Sequence, residues 1–256
     1  YVLILSGDHI YKMDYETLLH FHKANNADLT IAVMPVPIEE AGRFGLAVTD
    51  EHGRITDFEE KPEHPHSNLA SMGIYIFSWQ VLKDALKELK SVSDLDFGKH
   101  VIPHIHGQGK RIFAYEFNGY WKDVGTLQSY WEANMGLIDI VPEFNLYEDY
   151  WRIYTNSDVI RPQYIAGDTY IERTLLSEGT EVYADSITSS VIGTGVRIEE
   201  GVSIHDSIIM KDCVIKKGAK LDKAIIAERC VIGENPVIGY GDYAPSSYDS
   251  RVYDSM

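Results

Sequence analysis

The chain has 256 residues, enough for two modest domains with cores of their own. Twenty-three Lys and Arg against 39 Asp and Glu leave a net charge of −16, which excludes the basic face a nucleic-acid backbone needs, though not a nucleotide held by a few local cations. No apolar run reaches membrane-spanning length, no signal-peptide pattern occurs and two cysteines make no disulfide framework, so a cytoplasmic enzyme or binding protein is expected, with no nucleic acid and no membrane among its partners.

Residues 1–140 alternate strand-like and helix-like segments. YVLILS reads as a buried strand ending at Gly7-Asp8. Asp14 is a predicted N-cap for a helix over Tyr15–Ala24, with Leu18, Leu19 and His22 on one face. LTIAVMPV (29–36) is the next strand. FGLAVTD (44–50) and RITDFEEK (54–61) flank a hairpin-like turn at Glu51-His52-Gly53. ASMGIYIFSW (70–79) is a further buried strand, VLKDALKEL (81–89) an amphipathic helix, and Leu127–Leu137 another helix. Such alternation predicts an α/β sheet with ligands at strand ends. Residues 141–163 carry Pro, Asn, Asp and aromatics without periodicity and read as a linker that packs between the domains.

From about Tyr164 a repeat appears. Ile192, Ile209 and Ile226 are 17 apart, as are Ile198, Ile215 and Ile232, and Ile204, Leu221 and Ile238. Leu175 and Ile187 extend the pattern back one coil. Three aliphatic corners per coil predict a triangular parallel β-helix with stacked inner ladders, and Cys213 and Cys230 as stacked, reduced thiols. A sandwich of antiparallel strands does not account for three columns at one period.

Five stretches of the first half carry candidate chemistry. Ser6-Gly7-Asp8-His9 puts an Asp at a strand end after a Gly, which suits a metal bonded to phosphates or a capped turn. Phe58-Glu59-Glu60-Lys61-Pro62 is expected to be extended just before its Pro; Lys61 suits a sugar phosphate and Glu60 sugar hydroxyls, and a solvated ion pair fits the same residues. Ser71 and Tyr75, of equal parity, face one side of their strand. Asp94-Leu95-Asp96-Phe97-Gly98-Lys99 reads as a loop. In Tyr120-Trp121-Lys122-Asp123-Val124-Gly125-Thr126 an Asp stands between an aromatic and a Gly turn, and Asp8 and Asp123 together suit one Mg²⁺ whose shell nucleotide phosphates complete. His100, His104 and His106 surround Pro103, which is expected to spoil a helical zinc pair, so these histidines read as solvated or capping groups. No nucleophile elbow, G-x-G-x-x-G or Walker loop occurs.

In this order SGDHIYKMDY, FEEKP, SNLASMGIYIF, DFGK, YWKDVGT and the VIGTGVRIEEGVSI repeats closely resemble the bacterial ADP-glucose pyrophosphorylase (glucose-1-phosphate adenylyltransferase) family, up to about Gly239. The resemblance implies an α/β fold in three parts: a partial Rossmann-like nucleotidyltransferase domain over 1–140, the linker 141–163, and a left-handed parallel β-helix over 164–256. It assigns Asp8 and Asp123 to Mg²⁺, Glu60 and Lys61 to glucose and its phosphate, and Ser71, Tyr75, Asp96, Phe97 and Trp121 to the rest of the sugar-phosphate pocket. Lys61 also joins Asp8 and Asp123 in catalysis. The implied reaction joins ATP and α-D-glucose 1-phosphate to give ADP-glucose and pyrophosphate, for glycogen or starch, in a homotetramer or heterotetramer with allosteric effectors near the domain junction.

The family's N-terminal Gly-rich loop, which wraps the ATP phosphates, does not occur in these residues. The chain is therefore expected to be the carboxyl-terminal part of a longer enzyme, inactive or nearly so alone, and its tail from Gly239 to lose the repeat. Three rival readings remain: a nucleotidyltransferase for another base; a non-catalytic regulatory subunit, against which both retained Asp residues weigh; and a hexapeptide-repeat acyltransferase, which needs a coil-facing His where only His205, read as a surface corner residue, is on offer.

Overall fold

In the computed structural model, which describes residues 1–155 and 159–239, the run LTIAV is fully buried and forms the middle of a mixed sheet. Strands β1 (Val2–Ile4) and β2 (His9–Tyr11) lead into α1 (Tyr15–Ala24), β3 (Leu29–Pro35) and the short α2 (Ile38–Ala41). The hairpin β4 (Gly45–Thr49) and β5 (Ile55–Glu60) precedes β6 (Leu69–Phe77) and α3 (Trp79–Glu88). After α4 (Ile102–Gly107) come β7 (Ile112–Glu116), β8 (Trp121–Asp123) and α5 (Leu127–Gly136). By packing, the chain divides into two units, Tyr1–Asp123 and Val124–Met256.

The first unit is built on the sheet order β5-β4-β6-β3-β7, with β1 also paired to β6. Only β3 and β7 pair in parallel; the other ladders of this sheet are antiparallel. Residues of β3 alternate between two apolar layers, as a strand covered on both faces requires. Leu29, Ile31 and Val33 pack with Leu82 and Ala85 of α3 and Ile102 and Ile105 of α4. Ala32 packs with Met72, Ile74, Ile76 and Leu18 of α1 on the other side. As expected, Asp14 caps α1, accepting from the Glu16 amide at 2.9 Å and the Thr17 hydroxyl at 3.0 Å.

Several expectations in this unit are corrected. The opening strand is not buried: Tyr1, Leu3 and Leu5 are exposed. Asp94–Lys99 is not a simple loop: Asp96 accepts from the Lys99 amide at 2.8 Å and caps a π-helical turn, Phe97–Val101, that runs into α4. Pro103 does not break that helix: it stands at the start of α4, where the π-helical turn passes into it. His104 instead pairs with Glu88 at 2.8 Å, and His100 accepts the Asp96 amide. Among the described residues no group of three or more His, Cys, Asp or Glu is arranged to hold a metal ion, and no helix is long and apolar enough to cross a membrane.

The second unit carries a β-solenoid of parallel two- and three-residue strands stacked in three columns. The three predicted ladders are those observed: Ile192–Ile209–Ile226, Ile198–Ile215–Ile232 and Ile204–Leu221–Ile238. Cys213 is buried and Cys230 partly so, both as free thiols. The backward extension holds at Ile187, which stacks on Ile204, but is off by one in the other column: Leu176, not Leu175, stacks on Ile192, because this coil is one residue short. The missing residue is at the Val182–Ile187 corner. The matching corners of later coils use Gly201, Gly218 and Asn235 at φ of 73°, 71° and 58°, whereas no residue of 183–185 has a positive φ. A buried hydroxyl ladder, which the aliphatic pattern did not disclose, lines another corner: the Ser207 amide donates to Ser190 Oγ and the Ala224 amide to Ser207 Oγ, each at 3.1 Å.

Helix α5 opens on a reciprocal cap between Thr126 and Ser129 and docks on the solenoid. Its Trp131 indole donates to the Asp206 carbonyl at 2.7 Å, and Lys223 lies over the Trp131 ring. His205 is exposed and bonded to Asp222, as a surface residue should be. In the segment read as a packed linker, Phe144 is buried while Tyr147, Tyr150 and Tyr154 are exposed. The tail from Tyr240 on lies outside the described residues.

His22 generates a prediction. It is buried in the first unit between Thr30 Oγ1 at 2.8 Å and Ser78 Oγ at 3.3 Å. Burial holds its pKa below the ordinary value near 6.5, outweighing the pull of Asp28. A neutral ring is therefore required in the fold. Its contribution to stability is full above pH 6.5 and is lost as the pH falls from there through the lowered folded value. Urea unfolding from pH 7.5 to 5.5 should show stability falling with acid, and His22→Gln should flatten that slope. An unchanged slope in the variant contradicts the assignment.

Candidate active site

The SGDH turn and the SMGIY strand are fastened together. Strand β6 pairs with β4 through Leu69 and Ala70 and with β1 through Tyr75 to Phe77, so it changes neighbours in between. At that point it bulges: Ile31 of β3 faces Tyr75, yet Val33 faces Ser71. Gly73, at φ 65°, makes the bulge possible. A Cβ there would stand 3.0 Å from Ser6 Cβ and 3.4 Å from His9 Cε1. The two carbonyls exposed by the bulge are both used: Gly73 O accepts the Ser6 amide at 3.0 Å, and Met72 O bonds His9 Nδ1 at 2.7 Å.

This fastening sets out the two aspartates. Met72 O can only accept, and its 2.7 Å contact is much shorter than the 3.4 Å approach of the Trp121 indole N–H to the same nitrogen, so Nδ1 of His9 carries the proton. The other ring nitrogen, Nε2, lies 3.7 Å from Asp8 Oδ1 and 3.8 Å from Asp123 Oδ1. Asp123 arrives there because β2 and β8 pair antiparallel with His9 opposite Asp123 and Tyr11 opposite Trp121. The Ser6 hydroxyl donates to Asp8 Oδ1 at 2.7 Å and holds that carboxyl below the ordinary range; His9 adds to the effect. Asp8 is exposed and stays ionised, while the Trp121 ring meets His9 edge-on at 5.5 Å. Asp8 and Asp123, far apart in sequence, are thus gathered around one imidazole. Two hard carboxylates, one of them open to solvent, fit a divalent cation that draws the rest of its shell from phosphates and water.

A second group gathers at the other predicted residues. Glu60 ends β5 and is half-buried; burial first, then the nearby Asp96 charge, push its pKa up, while Lys61 and Lys99 oppose. Tyr75 is buried with its hydroxyl 3.4 Å from Ser71 Oγ, which confirms their common face. The Phe97 ring stacks on Tyr75 with centroids 5.9 Å apart. Lys61 is not extended as its following Pro suggested. It has φ 48°, and its amide donates to Phe44 O at 3.1 Å, closing the hairpin ladder before the chain reverses. Trp121 packs on both His9 and Phe44, so its ring stands between the aspartates and the Lys61 turn.

His9, Gly73 and Gly98 were not singled out from the sequence. The available signal was a Gly inside a strongly apolar strand, which marks a bulge or a close backbone approach.

The nucleotidyl transferase family model matches residues 1–139, and a GlmU-like C-terminal hexapeptide model matches residues 165–252. A glucose-1-phosphate adenylyltransferase of Lachnospira eligens is 70% identical over 200 residues, covering 78% of this chain and 47% of that protein. One of Thermosipho africanus is 53% identical over 257 residues, covering 100% of this chain and 62% of that protein. One of Bacillus licheniformis is 54% identical over 200 residues, covering 77% and 52%. The chain thus spans about half to three-fifths of the length of these curated relatives.

The bulge generates a prediction. Gly73→Ala must either hold a side chain at positive φ or push Ser6 and His9 away, and should cost about 1–3 kcal/mol of stability. Chemical unfolding measures this. A loss below about 0.5 kcal/mol, within the range of ordinary surface substitutions, would mean the fastening is not constrained.

Proposed function

This chain belongs to the nucleotidyl transferase family, and on that premise we propose that the whole protein joins ATP and α-D-glucose 1-phosphate to give ADP-glucose and pyrophosphate. The observation that carries the reading is the pair of carboxylates, Asp8 and Asp123, on the same β6 scaffold as the Glu60–Ser71–Tyr75–Asp96 group. High identity to relatives named glucose-1-phosphate adenylyltransferase supports the choice of base and sugar.

In this reading a phosphate oxygen of the sugar attacks the α-phosphorus of ATP and pyrophosphate leaves on the opposite side. No protein nucleophile is needed, so the protein works by positioning and by charge. Lys61 neutralises and orients the attacking phosphate. Glu60 accepts sugar hydroxyls, and the Tyr75–Phe97 stack and Ser71 wall the pocket. Asp8 and Asp123 hold a divalent cation, Mg²⁺ by its preference for hard oxygen. When bound, that cation supplies charge neutralisation at the phosphates. His9, fixed on Met72 O, stands between the two carboxylates. The proposed setting is the cytoplasm, in glycogen or starch synthesis, with the solenoid serving a tetramer.

Two substitutions in the whole protein test these roles. Asp8→Asn should lower kcat by about a hundredfold or more, since metal stabilisation of charge amounts to several kcal/mol; near-normal kcat would remove Asp8 from the cation. Lys61→Ala should raise KM for glucose 1-phosphate by about 10–100-fold with KM for ATP little changed, as expected for one charge-assisted contact. Equal effects on both substrates would take Lys61 off the sugar side.

A further inference from the structure

The Glu60 carboxylate occupies a space that two glycines leave open. Gly45 is its direct partner across the β4–β5 ladder, and a Cβ on Gly45 would come within 2.7 Å of both Glu60 Oε2 and Phe58 Cζ. Gly98 covers it from the π-helical turn. A Cβ on Gly98 would overlap Glu60 Oε2 and lie 2.8 Å from Glu60 Cδ. The next atom, Asp96 Oδ1, is 3.4 Å away, which is ordinary contact. Neither glycine has a positive φ, so backbone freedom is not what either supplies. What both supply is room for one carboxylate.

The turn that holds Gly98 there is itself fixed. Asp96 caps it through the Lys99 amide at 2.8 Å, and Phe97, the residue between, stacks on Tyr75. Gly98 is buried and Glu60 half-buried beside it. Among the described residues, Glu60 is acted on by burial and by the charges of Asp96, Lys61 and Lys99, and by no hydrogen bond. Its place is therefore set by shape, and its oxygens stay available to hydroxyl donors from a ligand.

We propose that Gly98 is a positioning residue for the sugar: the space left by its missing side chain fixes where the Glu60 carboxylate sits, and thereby which hydroxyls it meets. The proposal rests on the sugar-side reading of Glu60 given above. Adding one methyl at Gly98 meets the far end of a flexible side chain, not backbone. The fold therefore yields by swinging Glu60 aside, and the hydroxyl contacts go with it.

The test is a double-mutant cycle in the whole protein: Gly98→Ala, Glu60→Ala and both together. KM is measured for each substrate, glucose 1-phosphate binding by calorimetry, and stability by thermal unfolding. Gly98→Ala should weaken binding and raise KM for glucose 1-phosphate by about tenfold or more, and leave KM for ATP within about twofold. The double variant should be no worse than Glu60→Ala alone, because both changes remove the same contact. Two losses that multiply would overturn the proposal, as would an unchanged glucose 1-phosphate affinity in Gly98→Ala where Glu60→Ala has lost it. If Glu60→Ala itself leaves that affinity intact, the sugar-side reading of Glu60 falls and the proposal falls with it. Should Gly98→Ala fail to fold, adding Glu60→Ala must restore folding, since among the described residues outside the turn itself the atoms within 3 Å of the new methyl belong to Glu60; failure to restore it would overturn the proposal.

Discussion

The bulge of β6 at Gly73 is the constraint on which the candidate site depends. Strand β6 serves β4 at one end and β1 at the other, and between them it shifts register against β3; there Gly73 O continues the β1 ladder and Met72 O is left for a side chain. Buried carbonyls need donors. Here Ser6 and His9 provide them, from a turn otherwise held only by short strands. Satisfying the bulge therefore fixes the loop that carries Asp8, and through the His9–Asp123 register it fixes the second carboxylate as well. Ser71 and Tyr75, on either side of the same bulge, face the sugar-side group. One backbone irregularity thus sets the geometry of both halves of the proposed chemistry.

Around that scaffold the charges are sorted by environment. Asp8 is exposed and held ionised by a serine hydroxyl, which suits a cation ligand. Glu60 is half-buried near the charges of Asp96, Lys61 and Lys99, and burial above all pushes its pKa up. Burial and hydrogen bonding thus move two carboxyls of one small unit in opposite directions.

Much of this was legible in sequence because it rests on short-range pattern. The β-helix ladders follow from a 17-residue period of aliphatics, and the α1 cap from an Asp before an amphipathic run. What period alone does not carry was misread: Leu176 stacks where Leu175 was expected because one corner lacks a residue, a deletion visible only against the register. Likewise Lys61 takes a left-handed conformation despite its proline, because closing the hairpin onto Phe44 outweighs a local preference. Asp94–Asp96 are turn and loop, as their residue types suggest, whereas Phe97–Lys99 enter a π-helical turn, with Phe97 packed on Tyr75. The site residues themselves were found through motif resemblance. Their mutual support, by His9 from below and by the space at Gly45 and Gly98, depends on contacts between residues far apart in the chain.

The most direct test of the account is a crystal structure of the whole protein with Mn²⁺, glucose 1-phosphate and a non-reacting ATP analogue, read by anomalous scattering at the manganese edge. The account predicts a peak shared by the Asp8 and Asp123 carboxylates, with sugar hydroxyls in hydrogen-bond contact with Glu60. A peak that involves neither aspartate, or a sugar seated away from Glu60, would contradict it.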